Sequence, residues 1–146
     1  MLIGNYNNRV SLKGRTAVPA KFRSELSKKI IITKGYEKTL FLISEDEWEK
    51  QLNTVNLQPL VISQPREPDR FILGNAFPII LDDQGRFVIP KSLRQHAQIK
   101  EQAVFVGVGN RVEIWDQARW QEYQQYLGEN VEKIVNSLAS NQELKP

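Results

Sequence analysis

Two short loops carry the residues of this 146-residue chain best suited to chemistry. One reads Lys13-Gly14-Arg15; the other reads Gln84-Gly85-Arg86 and is preceded by Asp82-Asp83. Arginine offers a fixed fork of donors that can meet the O6 and N7 of guanine or bracket a phosphate, and a neighbouring glycine lets the backbone approach a duplex closely. A purely structural reading competes, in which Asp82 pairs with Arg86 and fixes the turn. One such loop alone would favour that structural reading; a pair of them shifts the balance towards contact with a partner.

Other chemistry finds little support. His96 is the sole histidine, and its counterpart in the first half of the chain is Glu25, which does not suit a shared catalytic role. It reads as a surface or helix-face residue. Asp82-Asp83 is accompanied by no HExxH, EF-hand spacing or histidine cluster, so the pair reads as a turn opener and no metal site is expected. Neither GxGxxG nor GxxxxGK[ST] occurs, and no cofactor is expected. The chain has no cysteine, which removes disulfides, thiolate metal sites and cysteine nucleophiles. Trp48, Trp115 and Trp120 lie on apolar stripes or strand ends, where packing is a commoner role than base stacking. No enzyme can be assembled from these parts.

Charge is distributed unevenly. The net charge is +3, yet residues 1–40 hold nine Lys or Arg (including Arg9, Lys13, Arg15, Lys21 and Arg23) against two acids, leaving the remainder acidic. A basic first third fits a polyanion and equally fits a solvated basic surface. No segment has the apolar length of a membrane span, and the N-terminus does not read as a secretion signal, so a cytoplasmic location is expected.

The elements that must position the loops come in two copies. Lys13-Gly14-Arg15-Thr16-Ala17-Val18-Pro19 aligns with Gln84-Gly85-Arg86-Phe87-Val88-Ile89-Pro90 at an offset of 71, and Arg23 with Arg94. The stretch from Thr39 to Trp48 matches that from Arg111 to Trp120 at an offset of 72. A period this long indicates duplication of a small domain. In each copy a strand is expected to turn at the glycine and return, making a hairpin with a basic tip. In the first, Tyr6, Asn8, Val10 and Leu12 would form the inward row. Pro19 and Pro90 should open short helices burying Phe22 with Leu26 and Leu93 with Ala97. Second hairpins follow, Ile30–Thr33 with Leu40–Ile43 and Val104–Val108 with Val112–Trp115, then helices capped by Ser44 and Asp116. The expected division is repeat 1 at 5–50, a linker with Pro59, Pro65 and Pro68 and a short helix at 51–75, repeat 2 at 76–122, and a helical tail at 123–146. The tail carries Val131, Ile134, Val135 and Leu138 at helical spacing, a stripe for the same chain or for another subunit.

From about Met1 to Leu127, the order and spacing of these motifs, with the Gly107-Val108-Gly109-Asn110-Arg111 segment and the paired Trp48 and Trp120, resemble the MraZ family. The resemblance implies an α+β, β-rich fold of two AbrB-like swapped-hairpin repeats interleaved about a pseudo-two-fold axis, with short helices. It further implies subunits assembled into a homo-oligomeric ring that binds double-stranded DNA at G-rich direct repeats in the promoter of its own cell-division and cell-wall gene cluster and represses it, nucleoid-associated in the cytoplasm. Arg15, Arg86, Lys13, Gly14, Gly85, Gln84, Asp82, Arg9, Lys21 and Arg23 are then the expected DNA-binding residues. The family pattern places an acid four residues before each arginine; Asp82 keeps it, whereas Ser11 stands in that place before Arg15. Rival readings are an AbrB-like antitoxin, which usually has one repeat and a long disordered end, and a structural ring former with an incidental basic face.

Overall fold

The computed structural model describes residues 1–55 and 66–143. Pro59 and Pro65 of the expected linker lie outside the described residues. In chain order the elements are β1 (Leu2–Arg9), β2 (Arg15–Ala17), α1 (Ala20–Leu26), β3 (Lys29–Lys34), β4 (Leu40–Ser44), α2 (Glu45–Val55), α3 (Glu67–Ile72), β5 (Phe77–Ile80), β6 (Arg86–Val88), α4 (Lys91–Ala97), β7 (Gln102–Gly109), β8 (Val112–Asp116) and α5 (Gln117–Glu143).

Six strands form an antiparallel sheet in the order β1-β7-β8-β4-β3-β5, and β2 with β6 forms a separate two-stranded ribbon. Exchanging the two copies maps this order onto itself, which is the expected pseudo-two-fold. The axis passes where counterpart residues pair with one another: Thr16 opposite Phe87 in the ribbon and Phe41 opposite Glu113 at the sheet centre. Each terminal strand of one copy lies against the other, β1 on β7 and β5 on β3. The repeats are therefore swapped and interleaved.

This arrangement corrects the simple hairpin. The chain does turn at Gly14, with Ser11 N–H donating to Arg15 O at 3.0 Å and Gly14 N–H to Ser11 O at 2.9 Å. Beyond that loop β1 and β2 part, and β2 takes β6 as its partner. Val18 N–H donates to Gly85 O and Ile89 N–H to Gly14 O, so each return strand is completed by the other copy's loop. Alternation along a strand reports which face is buried and says nothing of the partner, so local and swapped pairing look alike in sequence. The inward row also fails at its ends. Val10 is buried, but Tyr6 is 37% exposed and packs edge-on against Phe22, and Leu12 is 98% exposed at the loop tip.

The main core lies between one face of the sheet and the ribbon with α1 and α4. Ile30, Ile32, Leu40, Leu42, Phe105 and Ile114 project from the sheet, and Val18, Phe22, Leu26, Phe87, Ile89 and Leu93 close over them. Helices of seven residues are too short to persist alone, so α1 and α4 exist because Phe22 with Leu26 and Leu93 with Ala97 are buried as expected. On the other face, Val104, Val106 and Trp115 pack against Trp120 and Tyr123 of α5.

The capping serine is in place, its Oγ accepting from Glu47 N–H at 3.2 Å. Asp116 differs: its Oδ1 accepts from Lys100 N–H at 3.1 Å and ties the α4–β7 loop to the start of α5. Helix α5 runs for 27 residues, straight through Gly128 and across the expected boundary at 122. With it, helical residues outnumber strand residues, so the fold is α+β with more helix than a β-rich reading anticipates.

Candidate nucleic-acid interface

The ribbon brings the two arginines together. In its register Arg15 faces Val88, Thr16 faces Phe87 and Ala17 faces Arg86. Strand alternation then sorts the side chains: Thr16 and Phe87 are buried, while Arg15, Arg86 and Val88 are exposed on the opposite face with Ala17 half-buried between them. Arg15 and Arg86 occupy a diagonal of this face, a relation that sets backbone positions about 7–8 Å apart. Asn8 braces the ribbon, its Nδ2 donating to Ala17 O at 2.7 Å, and Thr16 Oγ1 donates to Arg9 O at 2.8 Å. The result is an exposed strand pair with two guanidinium groups on one side and a shallow concavity among Asn8, Arg15, Ala17, Arg86 and Val88.

The two loops flanking the ribbon share one backbone. Asp82 N–H donates to Arg86 O at 3.2 Å and Gly85 N–H to Asp82 O at 3.0 Å, matching the bonds at Ser11 and Gly14. Both glycines have positive φ, +84° and +75°. Each is also covered from below by an arginine of the opposite copy. Arg94 Nη1 donates to Leu12 O at 2.9 Å, and a Cβ on Gly14 would stand 2.8 Å from Arg94 Cζ. Arg23 Nε donates to Val18 O at 2.9 Å, and a Cβ on Gly85 would stand 2.6 Å from that Nε.

Arg23, expected to bind DNA, thus spends its Nε on Val18 O at the end of the ribbon strand and packs beneath Gly85 of the second loop. Its counterpart Arg94, absent from the expected site, packs beneath Gly14 and holds the first loop through Nη1, which donates to Leu12 O. The identity of Arg23 and Arg94 in the repeat alignment was the available signal; it reads as a shared structural duty because each reaches across to the other copy's loop.

The remaining candidates fall as follows. Lys13 and Gln84 are exposed at equivalent places on the two tips, and Gly14 and Gly85 are buried beneath them. Asp82 anchors its loop: Oδ1 accepts from Arg86 N–H at 2.8 Å and Gln84 N–H at 2.9 Å, and Oδ2 accepts from Arg86 Nε at 2.6 Å. The Arg86 backbone and side-chain donors, aided by Gln84 N–H, hold its carboxyl below the usual carboxylate range. Ser11 Oγ supplies the matching backbone bond from Arg15 N–H at 3.0 Å but no ion pair. A hydroxyl therefore suffices to close the turn, and the Arg15 guanidinium has no partner among the described residues. Arg9 is exposed beside the first loop, in a concavity with Ser11, Leu12 and Arg94. Lys21 is exposed on α1.

Among the described residues no three His, Asp or Glu side chains could hold a metal ion. His96 packs edge-on against Phe71, with Nε2 at 3.2 Å from Gly35 O, a half-buried helix-face position. No helix among the described residues is long and apolar enough to cross a membrane.

An interleaved pair of swapped-hairpin repeats with paired Gly-Arg loops defines an AbrB-like protein. The family model described as "MraZ protein, putative antitoxin-like" matches twice, over residues 1–69 and 72–140. The chain is also similar to the "Transcriptional regulator MraZ" of Alkaliphilus oremlandii, 41% identical over 95% of this chain and 97% of that protein. Proteins of the same name from Caldanaerobacter subterraneus and a Thermoanaerobacter species are 41% and 40% identical, each over 94% of this chain and 96% of the relative. The chain belongs to the MraZ family.

Proposed function

We propose that this protein is a transcriptional regulator that binds double-stranded DNA sequence-specifically through the exposed face of its two-stranded ribbon. The observation that carries the reading is the placement of Arg15 and Arg86 together on that exposed face, each at the end of a glycine-turned loop. A two-stranded ribbon fits the major groove, and a guanidinium fork pairs with guanine O6 and N7 there. The names of the relatives agree with a regulatory role.

One ribbon makes few base contacts, so its affinity alone would be weak and dominated by phosphate. A closed ring of subunits facing evenly spaced G-rich direct repeats converts later contacts into intramolecular ones and raises avidity. Occupancy of a promoter, here that of its own cell-division and cell-wall gene cluster, would then exclude polymerase and repress transcription. The exposed Val131, Ile134, Val135 and Leu138 of α5 supply apolar surface beyond what the subunit core uses, in keeping with self-assembly.

Duplexes selected from random DNA by the intact protein, then titrated with wild type, Arg15→Ala and Arg86→Ala, test this. Each substitution should cost roughly 1–3 kcal/mol of specific binding for every base no longer read, and relax the preference at the matching position. An Arg15→Ala protein that binds the selected duplex like wild type in the same salt would remove Arg15 from the interface. Antitoxin activity would show itself instead as co-purification with a small toxic partner.

A further inference from the structure

We infer that the two loop crests of one subunit are unequal, the first entering the DNA groove with Leu12 as an apolar base contact and the second, at Asp83, standing aside while Arg86 still contacts DNA from the ribbon face, so that each subunit has a fixed direction along the duplex. This rests on the DNA-binding reading above and specifies how that site is used.

The backbones of the tips are alike, with the same two closing hydrogen bonds and glycines in the same conformation. Their difference lies in the side chains. The first tip, Ser11-Leu12-Lys13-Gly14-Arg15, carries two cations and no acid. The second, Asp82-Asp83-Gln84-Gly85-Arg86, carries two carboxylates and one cation. Asp83 is paired with Lys28, which raises the lysine's pKa, and Asp82 with Arg86. Counting Lys28, the second tip is neutral where the first is doubly positive. Against closely spaced phosphates the first tip is attracted and the second gains nothing.

Leu12 sharpens the distinction. Its counterpart at the offset of 71 is Asp83. The leucine side chain is 98% exposed, with no apolar neighbour to shield it, and it sits between Ser11 and Lys13 at the crest of the loop. The crest is held rigid: Leu12 O accepts from Arg94 Nη1, and Gly14 and Arg15 N–H groups both bond back to Ser11. A stiff loop that projects one apolar side chain beside two cations matches a groove floor bearing thymine methyl groups next to a phosphate wall.

The test compares Leu12→Ala with Asp83→Ala in the intact protein, on a duplex selected by wild type and on the same duplex with thymines replaced by uracil. Both positions are exposed, so folding should be unaffected. Leu12→Ala should weaken binding about tenfold, the scale of withdrawing three apolar carbons that an open groove covers by roughly half, without altering the salt slope, because every phosphate stays neutralised as before. Uracil should weaken wild type and leave Leu12→Ala little changed, while Asp83→Ala should bind at least as well as wild type. The absence of native cysteine allows a cleavage reagent to be tethered at a single Leu12→Cys or Asp83→Cys, and the first should cut the selected duplex several-fold more strongly. Wild-type binding by Leu12→Ala, or equal cutting from both positions, would overturn the inference while leaving the ribbon reading intact. A Leu12→Ala protein altered in assembly size and not in DNA affinity would also overturn it, placing Leu12 between subunits. Failure of wild type to bind any duplex at low salt would defeat both readings together.

Discussion

Replacing Gly14 by alanine probes the loop without touching a charge. Gly14 has φ +84°, and an added Cβ would lie 2.8 Å from Ile89 O as well as from Arg94 Cζ. The arginine side chain can swing aside, but the carbonyl belongs to the backbone, and Ile89 N–H itself donates to Gly14 O at 2.8 Å. Relief therefore lengthens a hydrogen bond that joins the two copies. The left-handed conformation costs an L-residue roughly 1–2 kcal/mol. A weakened backbone bond adds about 1 kcal/mol. The sum, about 2–3 kcal/mol, should lower the melting temperature by roughly 4–12 °C in a chain of this size. Gly109→Ala is the control: its φ is +103°, yet nothing lies within 4 Å of the added atom, so only the conformational part should apply. Thermal unfolding followed by circular dichroism, on both variants in one buffer, reads the difference. A Gly14→Ala protein melting at or above Gly109→Ala would refute the idea that the loop is wedged between Ile89 and Arg94.

Lys13→Ala should reduce the slope of log affinity against log salt by about one unit if Lys13 neutralises one phosphate, and an unchanged slope places it away from DNA. Asp82 has a folded-state pKa below its ordinary 3.8, so its stabilising effect is present above that value and is lost as pH falls through the lower folded one. Asp82→Asn should accordingly melt below wild type at neutral pH and converge with it in strong acid; a gap that persists there would point to something other than the carboxylate charge. Light scattering should find a closed oligomer, reduced in size by a combined Ile134→Lys and Leu138→Lys change, and a monomer at micromolar concentration would remove the assembly proposal.

Much of the fold was legible because duplication states the pattern twice. Pro19 with Pro90 and Phe22 with Leu93 mark the same helix in each copy, and the second hairpins follow from contiguous β-branched and aromatic runs. Partner choice was not legible from alternation, since β2 and β6 bury Thr16 and Phe87 whichever strand lies beside them. The site divides in the same way. Gly-Arg pairs announce exposed tips, but the bond from Arg94 to Leu12 O and the packing of Arg23 beneath Gly85 join residues far apart in sequence, a relation that spacing cannot encode. Ser11 looked like a missing acid, and its hydroxyl turns out to close the loop through the same backbone N–H. Leu12 fitted the inward row by period alone; the turn that begins at Ser11 carries it outward.

The swapped strand pairs also set a schedule for biosynthesis. As the chain leaves the ribosome, β3 and β4 can close on each other early, because they are neighbours in sequence. The ribbon strand Arg15–Ala17 must wait for Arg86–Val88, and Leu2–Arg9 must wait for Gln102–Gly109, roughly a hundred residues later. At about 5–20 residues per second, the first copy spends on the order of 5–20 s with Val10, Val18 and Phe22 lacking their final cover. A nascent chain in that state presents apolar surface of the kind chaperones shield, and two such half-made copies on one polysome would offer each other unpaired strands before either second half arrives.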